Sequence, residues 1–233
     1  MNGIKRVYVV MKILDFAKVR VAPIPEKKTQ AEQETVEKAY QALSVTRKQK
    51  ADARKSDKAR KESIFAGFLL EEMLKEKGVE TPIVYAYSKR GKPEVSGADF
   101  SLSHCKKWCA CIVSDLRVGI DVEMLGRYRQ SVVERFFTEQ EQTFLEREKE
   151  DADFYFTVLW TCKEALAKCL DLPLPEVCKQ FDMHFFLENV KKDAGAQPVE
   201  LGALLYQEKT IAFAMQQCTQ AVASYCIEIE KEK

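Results

Sequence analysis

Apolar and polar positions follow two different periods along this chain, and the changes of period mark its elements. Residues 7–14 are rich in β-branched side chains and predict an opening strand, closed by Pro23 and Pro25. A charged, Ala/Glu/Lys-rich stretch follows to about Leu43, and a second helical stretch is expected from near Ser44 to about Lys77. Its latter half sets Ile64, Phe65, Phe68, Leu69, Met73 and Leu74 on one stripe, and Gly78 is placed to stop it. Strands are then expected at 83–87, 100–102, 108–113 and 118–122, with turns at 89–93 and 114–115. From Ser131 the helical period returns. Thr138 and Glu141 have capping-box spacing and predict a helix to about Glu150. Asp153 is placed to cap the next helix, which runs to about Leu170 before Pro173 and Pro175 break it. Three further strands are expected at 181–187, 210–215 and 223–229. No tandem repeat is visible, although each half reads as helices followed by about three strands.

Composition narrows the class. At 233 residues the chain can bury one large core or two smaller ones. A formal net charge of +1 gives no global pull toward nucleic acid or a membrane surface, so any basic site must be local. The strong positive block lies at 47–61; its plain reading is a solvated helix face, and it lacks the interleaved aromatics of a nucleic-acid patch. Eight cysteines without CxxC pairs predict buried, reduced thiols rather than a disulfide framework or a zinc site. Lys5, Arg6, Lys12 and Asp15 interrupt the early apolar run, and no stretch approaches a membrane span. A cytoplasmic protein with no membrane partner is expected.

Three short strings carry the chemistry. In Val118-Gly-Ile-Asp-Val-Glu123, strand alternation sends Val118, Ile120 and Val122 toward a core and Asp121 and Glu123 together to the other face. Gly119, beside them, is expected to leave room for a bulky ligand. Taken alone, this D-x-E is more simply a solvated acidic face. In Trp160-Thr-Cys-Lys-Glu-Ala-Leu-Ala-Lys168, Phe156, Leu159, Leu166 and Leu170 form one apolar helical stripe. Lys163 falls within that stripe, an expensive place for an ammonium unless it snorkels or meets an anion. Glu164 and Lys168 sit one turn apart at its edge and would, alone, be a weak i,i+4 ion pair. Phe100-Ser-Leu-Ser-His104 ends a strand with one of the two histidines; the other, His184, has no motif around it and reads as structural. Three carboxylates with a histidine and lysines suit a hard divalent cation that shares its oxygen ligands with phosphates.

In this order and spacing the strings resemble those of the 4′-phosphopantetheinyl transferases, specifically the larger, surfactin-synthetase-activating type. The resemblance implies an α+β fold of two similar α/β lobes about a pseudo-two-fold axis, each with helices on a small, mainly antiparallel sheet. The lobes would span residues 1–114 and 115–233, with the active site between them, in a monomer with internal pseudo-symmetry. It implies Mg²⁺ held by Asp121, Glu123 and Glu164, with Glu164 also the possible general base. Lys163 and Lys168 become phosphate contacts, and Ser103 and His104 match a string that touches the phosphates of coenzyme A. Lys92 matches the family's G-K-P turn. Arg47, Lys50 and Ser63, with Arg60 a close substitute, fall loosely at positions that bind the 3′-phosphate. The implied reaction moves the 4′-phosphopantetheine arm of coenzyme A to a serine of an apo acyl or peptidyl carrier protein. Lys168 and His104 would add positive charge, and residues 127–137 are the expected docking surface. A catalytically silent coenzyme A-binding protein of the same fold is the alternative.

Overall fold

Among the described residues, two larger antiparallel sheets and their helices pack around three apolar cores, beside a small two-stranded sheet. The structure is a computed structural model and describes residues 5–7, 12–26, 29–190 and 197–229. Along the chain come β1 (Lys5–Val7), β2 (Ala17–Pro23), α1 (Gln30–Ala42), α2 (Val45–Asp52) and α3 (Asp57–Lys77). The hairpin β3 (Ala86–Tyr87) and β4 (Pro93–Glu94) precedes β5 (Asp99–His104), β6 (Trp108–Ser114) and β7 (Val118–Met124). Then follow α4 (Gln130–Phe136), α5 (Glu139–Arg147), α6 (Ala152–Leu170) and α7 (Leu174–Gln180), and last β8 (Val199–Tyr206), β9 (Lys209–Cys218) and β10 (Ala221–Ile229).

A three-stranded sheet runs β2-β6-β5 and a five-stranded one β1-β8-β9-β10-β7. Period-2 alternation assigns the cores. Cys109, Cys111 and Val113 of β6 face α3, whereas Ala110 and Ile112 join Ile120, Ala223 and Tyr225 between the sheets. On the far side Val222 and Cys226 of β10 pack with Leu159, Cys162 and Leu166 of α6. The fold is α+β, with helices on small antiparallel sheets. Strand β1 pairs with β8, so a cut near residue 114 would take one edge strand from the larger sheet.

Local chemistry explains where elements begin and end. The helical stretch expected from 44 to 77 is two helices, because Ser56 Oγ accepts from Ala59 N–H and starts α3 anew. Gly78, at φ +94°, ends it in a left-handed cap. Thr138 and Glu141 form the expected capping box of α5. Asp153 is not a cap: its carboxylate accepts from the N–H groups of Gly126 and Tyr128 and ties down that loop. Of the expected opening strand, residues 8–11 lie outside those described; Val7 ends β1, and Ile13–Asp15 form a 3₁₀ turn. Residues 181–187 are not a strand. Phe186 and Leu187 are buried side by side, which strict alternation forbids, and His184–Asn189 is a 3₁₀ helix. Strand β8 escaped the pattern because a register shift between Glu200 and Gly202 breaks its alternation.

The sheets meet where β7, the outer strand of the larger one, lies against β5. Asp99 Oδ2 accepts from Val118 N–H at 2.9 Å, Ser101 Oγ accepts from Ile120 N–H at 3.1 Å, and Ser103 Oγ donates to Asp121 Oδ1 at 2.6 Å. Side chains at 99 and 101 thus satisfy an edge that would otherwise stand open, and Ser103 holds the Asp121 carboxylate.

Candidate functional site

The site begins with a close approach of backbones. A Cβ placed on Gly119 would lie 1.9 Å from the carbonyl oxygen of Ala165 and 2.9 Å from Cys169 N. Gly119 therefore makes room for α6, not for a ligand as its position in the string suggested. Thr161 Oγ1 and Ser224 Oγ, 2.7 Å apart, pin the same helix to β10. Held there, α6 sets Glu164 and Lys168 against the carboxylates of β7.

Asp121 is buried. Its Oδ1 accepts from Ser103 Oγ and, at 2.7 Å, from Lys168 Nζ, which also donates to the Ile120 carbonyl at 3.1 Å. Its Oδ2 is buried with no partner. Glu123 is paired with Arg127. Burial, and then the charge of Asp121, push the Glu123 carboxyl above its ordinary value; burial followed by Asp121 does the same at Glu164. Glu123 and Glu164 thus both feel the negative charge of Asp121. Among the described residues no three metal-ligating side chains form a metal cage; Lys168 pairs with Asp121 and Arg127 with Glu123. The orphaned Oδ2 and the all-oxygen donor set nevertheless fit Mg²⁺.

Glu164 lines two cavities. The larger, about 660 Å³, is basic. Arg47, Lys50 and Ser63 enter it from the α2–α3 side, Lys92 from the turn before β4, His104 from the end of β5, and Lys168 from α6. Arg47 is 5% exposed, stacks its guanidinium 4.8 Å from the Tyr85 ring centroid, and leaves Nε and Nη2 unpartnered. Burial, with Arg47 and Arg54 nearby, pulls the Lys50 ammonium below its usual range. Burial likewise lowers His104, whose Nδ1 lies 3.5 Å from Glu62 Oε2. Lys92 is steered by Asp99 at 3.1 Å. Concentrated, partly dehydrated cations of this kind attract a multiply charged anion. The smaller cavity, about 360 Å³, is lined by Glu123, Arg127, Arg129, Val132, Phe156 and Trp160.

Three residues named from the sequence are elsewhere. Ser103 lines neither cavity, its hydroxyl donating to Asp121 Oδ1 instead. Lys163 is fully buried, its ammonium 2.9 Å from Glu141 Oε1 and 2.8 Å from the Phe181 carbonyl, so it has no route to a phosphate. The anion that its place in an apolar stripe demanded is Glu141. Arg60 turns from the basic cavity to pair with Asp52 at 2.9 Å, its guanidinium over the Tyr40 ring. Arg54 and Arg90 line the basic cavity and were missed. The 47–50–54 spacing, one helical face of the basic run, could have signalled Arg54; Arg90 precedes the Gly91-Lys92-Pro93 turn.

Residues 117–228 match the sequence profile of the 4′-phosphopantetheinyl transferase superfamily. The chain is also similar to curated proteins. It is 32% identical over 90 residues to 4′-phosphopantetheinyl transferase gsp of Aneurinibacillus migulanus, covering 38% of each chain. It is 32% identical over 93 residues to 4′-phosphopantetheinyl transferase Sfp of Bacillus subtilis, covering 38% of this chain and 42% of that one. With 4′-phosphopantetheinyl transferase psf-1 of Bacillus pumilus it shares 36% over 90 residues, 37% of this chain and 39% of the relative. The matched stretch thus spans about two fifths of these relatives' length.

Proposed function

Through residues 117–228 the chain belongs to the 4′-phosphopantetheinyl transferase superfamily, and from that premise we propose that it moves 4′-phosphopantetheine from coenzyme A to a serine of an apo carrier protein, with Mg²⁺. The observation that carries this reading is the place of Glu164, shared by a basic cavity and a second cavity that also holds Glu123 and Trp160. One cavity takes the nucleotide and phosphates. The other receives the acceptor, with Arg127, Arg129 and the 127–137 segment facing the acidic surface of a carrier protein. In this reading the chain acts as a cytoplasmic monomer, with lobes of residues 1–114 and 115–233 related by a pseudo-two-fold axis.

A serine hydroxyl attacks the β-phosphorus, the bridging P–O bond of the pyrophosphate breaks and adenosine 3′,5′-bisphosphate leaves, a step that gains chiefly from positioning and charge neutralisation. Arg47, Lys50 and Ser63 bind the 3′-phosphate, assisted by Arg54, while Lys92 and His104 hold the pyrophosphate and Ser103 positions Asp121. Lys168 neutralises charge on the leaving oxygen. Asp121, Glu123 and Glu164 would hold Mg²⁺, which supplies Lewis-acid neutralisation of the pyrophosphate when bound. Burial raises the Glu164 carboxyl, which favours it as the acceptor of the serine proton. The orphaned oxygen of Asp121 disfavours a silent binder, which has no need of a dehydrated carboxylate aimed at nothing.

The test is direct. Incubated with coenzyme A, Mg²⁺ and an apo carrier protein, the chain should add the phosphopantetheine mass to the carrier, and a carrier lacking the acceptor serine should stay unmodified. Failure on carriers of fatty-acid, polyketide and peptide synthesis alike would refute the transferase reading.

A further inference from the structure

Lys168 belongs to two neighbourhoods at once. Its side chain lines the basic cavity, yet its ammonium rests on Asp121 Oδ1 and the Ile120 carbonyl. Other cations there are engaged differently: Lys92 is held by Asp99, and Arg47 presents unpartnered nitrogens. Asp121 offers Oδ2, buried and without a partner, while Oδ1 is taken. A divalent cation arriving at Oδ2 would share one carboxylate with an ammonium, and their repulsion is strong where water is excluded. An anion in the basic cavity removes that conflict, because the flexible lysine stem lets the ammonium turn to it. Arg127 makes a comparable pair with Glu123, but its side chain is 60% exposed and solvent screens it; Lys168 and Asp121 are 30% and 8% exposed.

We infer that Lys168 is an internal counter-ion of Asp121, keeping the ligand-free site weak for divalent cations until a phosphate-bearing ligand in the basic cavity draws the ammonium away. The inference deepens the transferase reading and rests on its placing of Asp121 among the metal ligands. Anion and metal then tighten each other's binding reciprocally, and part of that coupling runs through Lys168 rather than through direct metal–phosphate contact. The metal is retained in quantity only when there is a substrate for it to act on.

The experiment measures Mn²⁺ binding to the full chain by the free-ion signal in electron paramagnetic resonance, without coenzyme A. Lys168→Met should bind Mn²⁺ about ten-fold more tightly than the parent, the size of a modest charge repulsion. Lys168→Gln, which keeps a donor for Asp121 but no charge, should behave alike and covers the case in which Met impairs folding. Lys50→Met removes a charge from the same cavity without touching Asp121 and should have less than half that effect on the binding free energy. Adenosine 3′,5′-bisphosphate should tighten Mn²⁺ binding to the parent several-fold and to the Lys168 variants much less. Unchanged or weaker Mn²⁺ binding in both Lys168 variants, or an equal gain in Lys50→Met, overturns the inference. Asp121→Asn separates this from the parent reading. If it binds Mn²⁺ as the parent does, the metal assignment itself fails; if it loses binding while the Lys168 variants match the parent, only the counter-ion role falls.

Discussion

Which face of α6 a side chain leaves from decides its chemistry. Lys163 and Glu164 are neighbours in sequence, yet one is sealed against Glu141 and the other opens into two cavities. Burial has a different consequence at His104, whose imidazole is held below its ordinary value of 6.5. The unfolded chain then binds a proton that the folded chain refuses, so this residue's contribution to stability is lost as pH falls below about 6.5. Between pH 7.5 and 5.5 the thermal midpoint of the parent should therefore fall further than that of His104→Asn; equal falls would show that burial does not perturb the ring. The sequence made the problem at Lys163 legible, an ammonium in an apolar stripe, but not its solution. Glu141 was legible as a cap through its spacing from Thr138, and nothing local shows that its second oxygen also takes Met183 N–H and the lysine.

At the scale of elements, the separation of β7 from α6 sets the site. Gly119→Ala would drive a methyl group into the Ala165 carbonyl, backbone that cannot turn aside. Overpacking of this kind costs about 1–3 kcal/mol, and moving α6 outward carries Glu164 and Lys168 away from Asp121. Gly119→Ala should lower the thermal midpoint by several degrees; a parental midpoint would refute the close-packing account. Elements with clean periodicity were read correctly: α6 to Leu170, and the strands around 108–113, 118–122, 210–215 and 223–229. Those that failed lacked it for identifiable reasons. The bulge in β8 spoils its alternation, and 181–187 carry strand-like residues whose burial follows a 3₁₀ turn.

Across the whole molecule, the basic cavity gathers side chains from segments as far apart as Arg47 and Leu174. Sequence motifs found its members near 92, 104 and 164–168 because those strings are local; the 47–63 members were harder, because only the packing of α2 against α3 decides which face of a basic run looks inward. Arg60 looks outward, toward Asp52. If Arg47 and Lys50 grip a 3′-phosphate, each contact is worth about 1.5–3 kcal/mol. Arg47→Met with Lys50→Met should then weaken coenzyme A far more than 3′-dephospho-coenzyme A in calorimetric titration. Equal losses would mean that these residues do not recognise that phosphate.

The order in which the chain is made bears on when such a site can exist. Strand β7 has one backbone partner in its sheet, β10, and Val118 pairs with Ile227. On a ribosome adding 5–20 residues per second, the acidic strand waits roughly 5–20 s for that partner. During that time Ser101 and Asp99, already synthesised, are what can cover its outer edge. A nascent chain halted before residue 221 would carry all three candidate metal ligands and the whole basic cavity, yet lack the strand that holds Asp121 and Glu123 in line. The alignment of Asp121 and Glu123 would therefore be complete only once β10 has been made.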